Sequence, residues 1–395
     1  MIVVGGSYLE VCHVPHWHRV FGSGGRAAIA VSTRASDVEF HTYAGKGLAD
    51  DVTRTMHSFG IKVRVKKISE DLSFSYFHPL SSAILAPTFP RKNRPLKVRG
   101  GAVLRFGFVE GDAVIEADYA VYDPQGGQAI ERFEENGSKA KHLAYVLNEN
   151  EILDLTKKAS VKQAATSLLG GATEVVVVKR GPDGATIYQK GGRVSAVPAY
   201  EAQRVFKIGS GDVYSAIFAH EWAENKSSPS DAADAASRAV ASYVESRSLP
   251  IPAGGALKSR KPLRLKKQQT KIYLAGPFFD IAKRWLIEES LNALESLGAS
   301  VFSPFHDVGF GDSKTVAKAD LSGMDECQAV LALIDGSDPG TLFEIGYARR
   351  KNLPVVALGE NVSASDLTML LGTDCEVVDD FATAIYRVVW KSRAK

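Results

Sequence analysis

Asp335-Gly-Ser-Asp-Pro-Gly-Thr-Leu-Phe-Glu-Ile-Gly-Tyr-Ala348 is the stretch whose reading decides the fold of the C-terminal half. Just upstream, Ala329-Val-Leu-Ala-Leu-Ile334 is a short apolar run, which predicts a buried parallel strand. Downstream, residues Thr341 to Lys351 predict a helix, and Leu353-Pro-Val-Val-Ala-Leu358 predicts the next strand. A strand, a tight Gly/Pro turn and a helix start form the place where an open α/β sheet presents ligand-binding groups. On that reading Glu344 falls in the first turn of the helix, where the dipole and free N–H groups favour an ionised carboxylate. A positioned, ionised carboxylate can act as a nucleophile. The plain alternative is an acidic residue that only steadies the helix dipole.

Working outward, Lys271-Ile-Tyr-Leu-Ala-Gly-Pro-Phe-Phe279 predicts a strand running into a Gly-Pro turn. A helix from Ala282 to Leu297 and a strand over Gly298 to Pro304 follow, and Asp320 and Asp325 stand before the central motif. Each polar residue has a structural rival to its chemical reading. Tyr273 could be a core tyrosine, Asp320 a cap on a helix starting at Leu321, and Asp338 a turn residue before Pro339. Asp325 stays undecided.

Taken together, Tyr-Leu-Ala-Gly-Pro-Phe, Asp320-Leu-Ser-Gly-Met-Asp325 and Asp338-x-Gly-Thr-x-x-Glu344-x-Gly-x-Ala resemble the nucleoside 2-deoxyribosyltransferase family over about residues 270–390. The resemblance implies that Glu344 attacks the anomeric carbon and expels the base, as the nucleophile of a retaining glycosidase does. It implies that Tyr273 orients Glu344, that Asp320 is the acid near the leaving base, and that Asp338 accepts the sugar's 5′-hydroxyl. Gly276, Pro277, Phe278, Gly340 and Thr341 would line the substrate site. Relatives that hydrolyse 5′-monophosphates carry a small hydroxyl residue in place of the aspartate, because a carboxylate repels phosphate. Asp338 therefore favours a nucleoside with a free 5′-OH. The resemblance implies no cofactor for this half, a nucleoside or nucleobase substrate, and a homo-oligomer whose subunits complete each other's sites.

The first 250 residues also alternate strands and helices, which predicts a mostly parallel sheet covered on both faces. Gly209-Ser-Gly-Asp-Val-Tyr-Ser-Ala216 is a small-residue loop opening a helix to about Glu224, a natural anion hole. Asp212 beside it could take a proton from an attacking hydroxyl, or the stretch could be a plain turn and cap. With Asn148-Glu-Asn-Glu151 and Val175 to Tyr188 in this order, residues 1–250 resemble ribokinase-like carbohydrate kinases of the PfkB family. That resemblance makes Gly209, Ser210 and Gly211 the anion hole and Asp212 the catalytic base. It has Asn148 and Glu151 organising magnesium and phosphate, and places Gly181 and Gly184 near the nucleotide, so ATP and Mg2+ are the implied cofactors. Departures are clear as well. Phe206 and Lys207 replace an Asp-Thr pair, Ile29 replaces a sugar-binding Asn, and the nearest acid to the N-terminal sugar-binding Asp is Glu10. The segment of about 70–115, where a substrate lid belongs, reads as irregular. The domain has either an unusual acceptor or a lost kinase activity.

The remaining signals bound the class. With 45% hydrophobic and 24% charged residues and a net charge of +3, nothing global points to nucleic acid or a membrane. No apolar run approaches the roughly 18 residues of a membrane span. Cys12, Cys327 and Cys375 form neither a metal spacing nor a disulfide framework, which suits a reducing cytoplasm. Lys258, Arg260, Lys261, Arg264, Lys266, Lys267 and Lys271 make a basic stretch, expected as a solvated spacer, with a phosphate or nucleic-acid contact as its rival. The expectation is thus an α/β protein of two domains: 1–250 ribokinase-like and 271–395 flavodoxin-like or Rossmann-like, joined by 251–270. Its expected activity is cleavage of a nucleoside N-glycosidic bond through Glu344, with transfer of the sugar to a base or water, fused to a sugar or nucleoside kinase in salvage. The alternatives are a kinase with a nucleotide-binding regulatory domain, and an effector that depletes or senses nucleotides.

Overall fold

A computed structural model describes residues 1–125, 130–266 and 268–394. The chain divides into two compact units, Met1–Pro262 and Leu263–Lys395.

The first unit is built on a nine-stranded sheet of β1 (Ile2–Val4), β4 (Glu39–Gly45), β5 (Lys62–Ile68), β8 (Leu96–Phe106), β9 (Ala113–Asp123), β10 (Lys139–Asn148), β11 (Thr173–Lys179), β12 (Ala185–Gln189) and β13 (Val194–Val197). Its order is β13-β12-β11-β10-β9-β8-β1-β4-β5, parallel except at the β11–β12–β13 edge. A second sheet holds β2 (Leu9–Cys12), β3 (Trp17–Val20), β6 (Ser73–Tyr76) and β7 (Ile84–Ala86) in the order β3-β2-β6-β7. The helices of this unit are α1 (Gly22–Val31), α2 (Ala49–Ser58), α3 (Glu149–Thr156), α4 (Val161–Leu168), α5 (Ser210–Ala219), α6 (Pro229–Ser246) and the short α7 (Gly255–Lys258).

Two features depart from the sequence reading. The segment 70–115, expected to be irregular, contains β6, β7 and the eleven-residue β8. Gly100 and Gly101 interrupt the alternation of β8, so its pattern does not read as a strand, although it pairs with both β1 and β9. The basic stretch, expected as a free spacer, is instead tied down. Arg260 pairs with Glu245 at 2.6 Å, Tyr200 bridges Pro262, and Leu265 bridges Ala394. Lys267 lies outside the described residues. The ten residues of α1 are all buried. A helix apolar all round belongs inside a core, and Arg26 is its one charge.

The second unit is a five-stranded, all-parallel sheet of β14 (Lys271–Ala275), β15 (Ser300–Phe302), β16 (Ala329–Leu333), β17 (Val355–Leu358) and β18 (Glu376–Val378). Its order, β15-β14-β16-β17-β18, is the flavodoxin-like 2-1-3-4-5 arrangement. Helices α8 (Ile281–Ser296), α9 (Ser313–Asp325), α10 (Pro339–Arg350), the short α11 (Thr368–Gly372) and α12 (Phe381–Arg393) complete it. Asp280, Asp312, Asp338 and Asp380 cap α8, α9, α10 and α12, each accepting a backbone N–H three residues on. The core gathers Tyr273, Ala275, Met324, Val330, Ala332, Ile345, Ala348, Val355 and Ala357. Among the described residues, no helix is long and apolar enough to cross a membrane.

Candidate active sites

In the second unit, β14 and β16 are neighbours, and the order of strands reverses around them. Open α/β sheets place ligands outside the carboxyl ends of strands at such a point. Tyr273, fully buried on β14, donates its hydroxyl to Oε1 of Glu344 at 2.7 Å. The parallel register of β14 on β16 brings the strand's tyrosine under the helix that follows β16.

Helix α10 begins at Pro339, not at Thr341, because Asp338 caps it by accepting both the N–H and the hydroxyl of Thr341 at 2.8 and 2.9 Å. Glu344 therefore sits in the second turn, beyond the strongest part of the dipole. The helix start therefore does less to hold its carboxyl ionised than the sequence suggested. Burial pushes it up to about 7; Tyr273's hydrogen bond opposes that rise, while Asp320 and Asp338 add to it. Tyr273 in turn is pushed far above the usual phenol range, first by burial and then by Glu344. It stays a donor at any working pH.

Asp320 lies within α9, whose cap is Asp312, so the rival role as a cap before Leu321 does not apply. Burial raises its carboxyl, and its Oδ1 is buried with no hydrogen-bond partner. An orphaned buried oxygen is rare and marks a place where a partner belongs. The approach of α9 depends on Gly323, where a Cβ would lie 2.2 Å from the Phe302 ring. Phe302 itself stacks on Tyr273, with ring centroids 5.5 Å apart. Asp325, left undecided by sequence, accepts from the Tyr347 hydroxyl at 3.0 Å and pairs with Lys351 at 3.0 Å, away from this set.

The Gly276-Pro277-Phe278 turn follows β14. Phe278 packs on Phe279, Phe305 and Phe310 at centroid distances of 5.0, 5.2 and 5.8 Å. Phe305 and Phe310 were not legible as site residues. Their only signal is that they are aromatic and follow a strand's carboxyl end. Gly340 sits close to the cap, since a Cβ there would lie 3.1 Å from Asp338 Oδ2. The site thus offers a half-buried carboxylate with a fixed donor, a second carboxyl with one buried oxygen, and exposed aromatic rings for stacking.

In the first unit, Gly209 caps α5 in the left-handed region at φ 79°, and Ser210 and Gly211 begin the helix. Lys179, at the end of β11, is beside the loop, with its Nζ 3.6 Å from where a Cβ on Gly211 would stand. Lys179 donates to Asp123 Oδ2 at 2.8 Å, as does Ser215 at 2.6 Å. Burial pulls the Lys179 ammonium down, but Asp123 and then Glu151 more than offset it, so its net shift is upward. Asn148 and Glu151 form a reciprocal capping box at the start of α3, at 2.9 and 2.8 Å. Gly181 and Gly184 border a one-turn 3-10 helix between β11 and β12.

Asp212 is buried, and both its oxygens are taken. Arg26 Nη1 donates to Oδ2 and Gln125 Nε2 to Oδ1, each at 2.6 Å. Arg26 also donates to Glu10 and, through Nε, to the Tyr243 hydroxyl at 3.0 Å. Burial pushes the Asp212 carboxyl up to about 6; Arg26 opposes the rise, and Glu10 adds to it. Sequence reading missed Arg26, Gln125, Lys179 and Asp123. The available signals were a lone arginine in an Ala-rich helix and polar residues closing two strands.

Comparison with known proteins adds family matches. Residues 272–380 match the nucleoside 2-deoxyribosyltransferase family, and residues 114–252 match the pfkB family of carbohydrate kinases. No curated protein matches the chain. Among solved structures, ribokinase from Cryptococcus neoformans var. grubii serotype A in complex with ADP is 17% identical, with a TM-score of 0.50, covering 65% of this chain and 98% of that one. A pyrophosphate-dependent kinase in the ribokinase family, complexed with a pyrophosphate analog and myo-inositol, is 14% identical with a TM-score of 0.48, covering 64% and 98%. Arabidopsis thaliana ribokinase complexed with ribose and ATP is 15% identical with a TM-score of 0.47, covering 63% and 95%. At these identities the likeness to the Cryptococcus enzyme establishes a fold alone. Along the chain, a match to the pfkB carbohydrate kinase family within a ribokinase-like fold is thus followed by a match to the nucleoside 2-deoxyribosyltransferase family.

Proposed function

We propose that the C-terminal domain cleaves the N-glycosidic bond of a nucleoside and passes the sugar to a second base or to water. The observation that carries this reading is the 2.7 Å hydrogen bond from Tyr273 to Glu344, in electrostatic reach of Asp320 and Asp338. Tyr273 leaves Glu344 Oε2 as the attacking oxygen. As the base departs, the anomeric carbon gains positive charge, which a nearby carboxylate stabilises and then traps as a glycosyl ester. Asp320, raised by burial, delivers a proton to the leaving base. The incoming base or water then attacks the anomeric carbon and gives up its proton to Asp320, and the bond from that carbon to Glu344 Oε2 breaks to release the carboxylate. The Phe278 cluster supplies faces on which a base can stack.

Asp338 spends Oδ2 on its cap, while its Oδ1 has no protein donor among the described residues and is available to a 5′-hydroxyl. A negative charge there disfavours a 5′-phosphate. Exposed Phe279, Ile281, Phe310, Phe343, Met369 and Leu371 support assembly of this domain into a homo-oligomer, which light scattering on the purified protein would test.

For the N-terminal domain, the loop Gly209–Gly211 and Lys179 fit the phosphates of a nucleotide such as ATP. Magnesium accompanying those phosphates needs one or two carboxylates. The kinase resemblance gives that role to Glu151 with Asn148, which together cap α3, and Glu151 is close enough to Lys179 to raise its ammonium. The metal would offset phosphate charge.

The test is incubation of purified protein with nucleosides and 5′-monophosphates, with and without a second free base, beside Glu344→Gln. Base exchange or release lost in the variant supports the reading. Activity that survives Glu344→Gln refutes it.

A further inference from the structure

Both carboxylate oxygens of Asp212 are hydrogen-bonded by the protein itself. Phosphoryl transfer to a sugar needs a hydroxyl whose proton moves to a base as its oxygen bonds phosphorus and the nucleotide's bridging P–O bond breaks. Asp212 is the residue the kinase resemblance assigns to that proton. Its two oxygens instead receive Arg26 Nη1 and Gln125 Nε2, each at 2.6 Å. The Arg26 side chain is 1% exposed, and so is the Glu10 side chain to which its Nη2 is bound. Its Nε goes to Tyr243, whose own hydroxyl is spent on the Ile208 carbonyl at 2.9 Å. All three guanidinium nitrogens therefore have partners. The group also lies against the anion loop, since a Cβ on Gly209 would stand 2.1 Å from Arg26 Nε. Tyr8 and Tyr76 close the surroundings, both electrostatically coupled to Glu10, Asp212 and Arg26.

A sugar hydroxyl could reach Asp212 Oδ1 only by displacing the Gln125 amide, and Oδ2 only by displacing this guanidinium. Displacement of the guanidinium would leave two buried carboxylates without their cation, a far larger loss than a neutral hydroxyl's hydrogen bonds recover. We propose that Arg26 is a built-in occupant of the acceptor pocket, which locks Asp212 and makes the N-terminal domain a phosphate- or nucleotide-binding domain that does not phosphorylate a sugar hydroxyl. Arg26 donates to Tyr243, Asp212 and Glu10, and to no group of Ser210, Gly211 or Lys179 at the phosphate end. The proposal is independent of the chemistry at Glu344.

The experiment uses the full chain with γ-labelled ATP, magnesium and a panel of pentoses, hexoses, inositols and nucleosides, beside Asp212→Asn. The expected result is no labelled phosphoester in the wild type above the Asp212→Asn background. Label transfer that depends on Asp212 overturns the proposal. A second measurement adds free guanidinium ion to Arg26→Ala. A fitted occupant predicts that millimolar guanidinium raises the variant's Tm by several degrees and leaves the wild type unmoved. A folded variant indifferent to guanidinium counts against the lock. Should the variant not fold, the wild-type transfer assay decides alone.

Discussion

Tyr273 and Glu344 are 71 residues apart in sequence, yet the phenol of one donates to the carboxylate of the other at 2.7 Å. A donor on one oxygen favours the ionised form, against a burial that pushes Glu344 up to about 7. The free enzyme should therefore gain kcat/KM as pH rises through about 7. Tyr273→Phe removes the opposing hydrogen bond, so the acid limb should move to higher pH and neutral activity should fall roughly tenfold to a hundredfold. A pH–rate profile of both proteins checks this, and an unmoved limb contradicts it.

Glu344→Gln should lower glycosyl cleavage by on the order of a thousandfold or more, as loss of a nucleophile does. The same substitution should alter stability in the opposite sense. The folded carboxyl binds its proton more tightly than the unfolded one, whose ordinary value is 4.5. Between there and about 7 the folded state holds more protons, so this group's contribution to stability falls as pH rises. The Tm of Glu344→Gln relative to wild type should increase from pH 5 to pH 8 in thermal melts.

Asp338→Ser separates charge from cap. Serine caps a helix about as well as aspartate, so α10 should persist. Removing the negative charge should improve kcat/KM for a 5′-monophosphate relative to the matching nucleoside, by roughly tenfold or more if the carboxylate repels phosphate at close range. Equal ratios in the two proteins would remove Asp338 from substrate selection.

Gly323→Ala tests how α9 is placed. The added methyl meets the Phe302 ring, and overpacking costs about 1–3 kcal/mol. Because Phe302 stacks on Tyr273 and Asp320 rides the same helix, activity should fall more than stability alone explains. Parallel melting and kinetic measurements would separate the two losses.

Arg26→Ala should destabilise the N-terminal domain by about 3–5 kcal/mol, because Glu10 and Asp212 would remain buried without their cation. Glycosyl cleavage by the surviving folded protein should be unaffected. Denaturant titration followed by activity assay measures both.

Much of this was legible before any coordinates. Apolar runs bounded by Asp, Gly and Pro located β14, β16 and β17, because strands buried on both faces are nearly continuous in hydrophobicity. Tyr273, Asp320, Asp338 and Glu344 stand out in the sequence through their motifs, and in the structure the first three act on the Glu344 carboxyl. What stayed hidden depended on long-range partners. Local sequence places Glu344 near a helix start, but only the Asp338 cap shows which turn it occupies, and only burial sets its protonation. β8 was hidden because Gly100 and Gly101 break its alternation. The lock at Asp212 could not be read, because Glu10, Arg26 and Gln125 come together from three separate segments.

The bridge between Leu265 and Ala394, reinforced by the Lys266 N–H donating to Arg393 at 2.7 Å, sets the ends of the second unit side by side. A body that takes in and gives out the chain at one spot behaves as a cassette. It could be moved into a surface loop of another scaffold without prying that loop apart, or have its ends joined and be reopened elsewhere. The Tyr273–Glu344 pair would travel with such a piece, because both residues lie within 263–394.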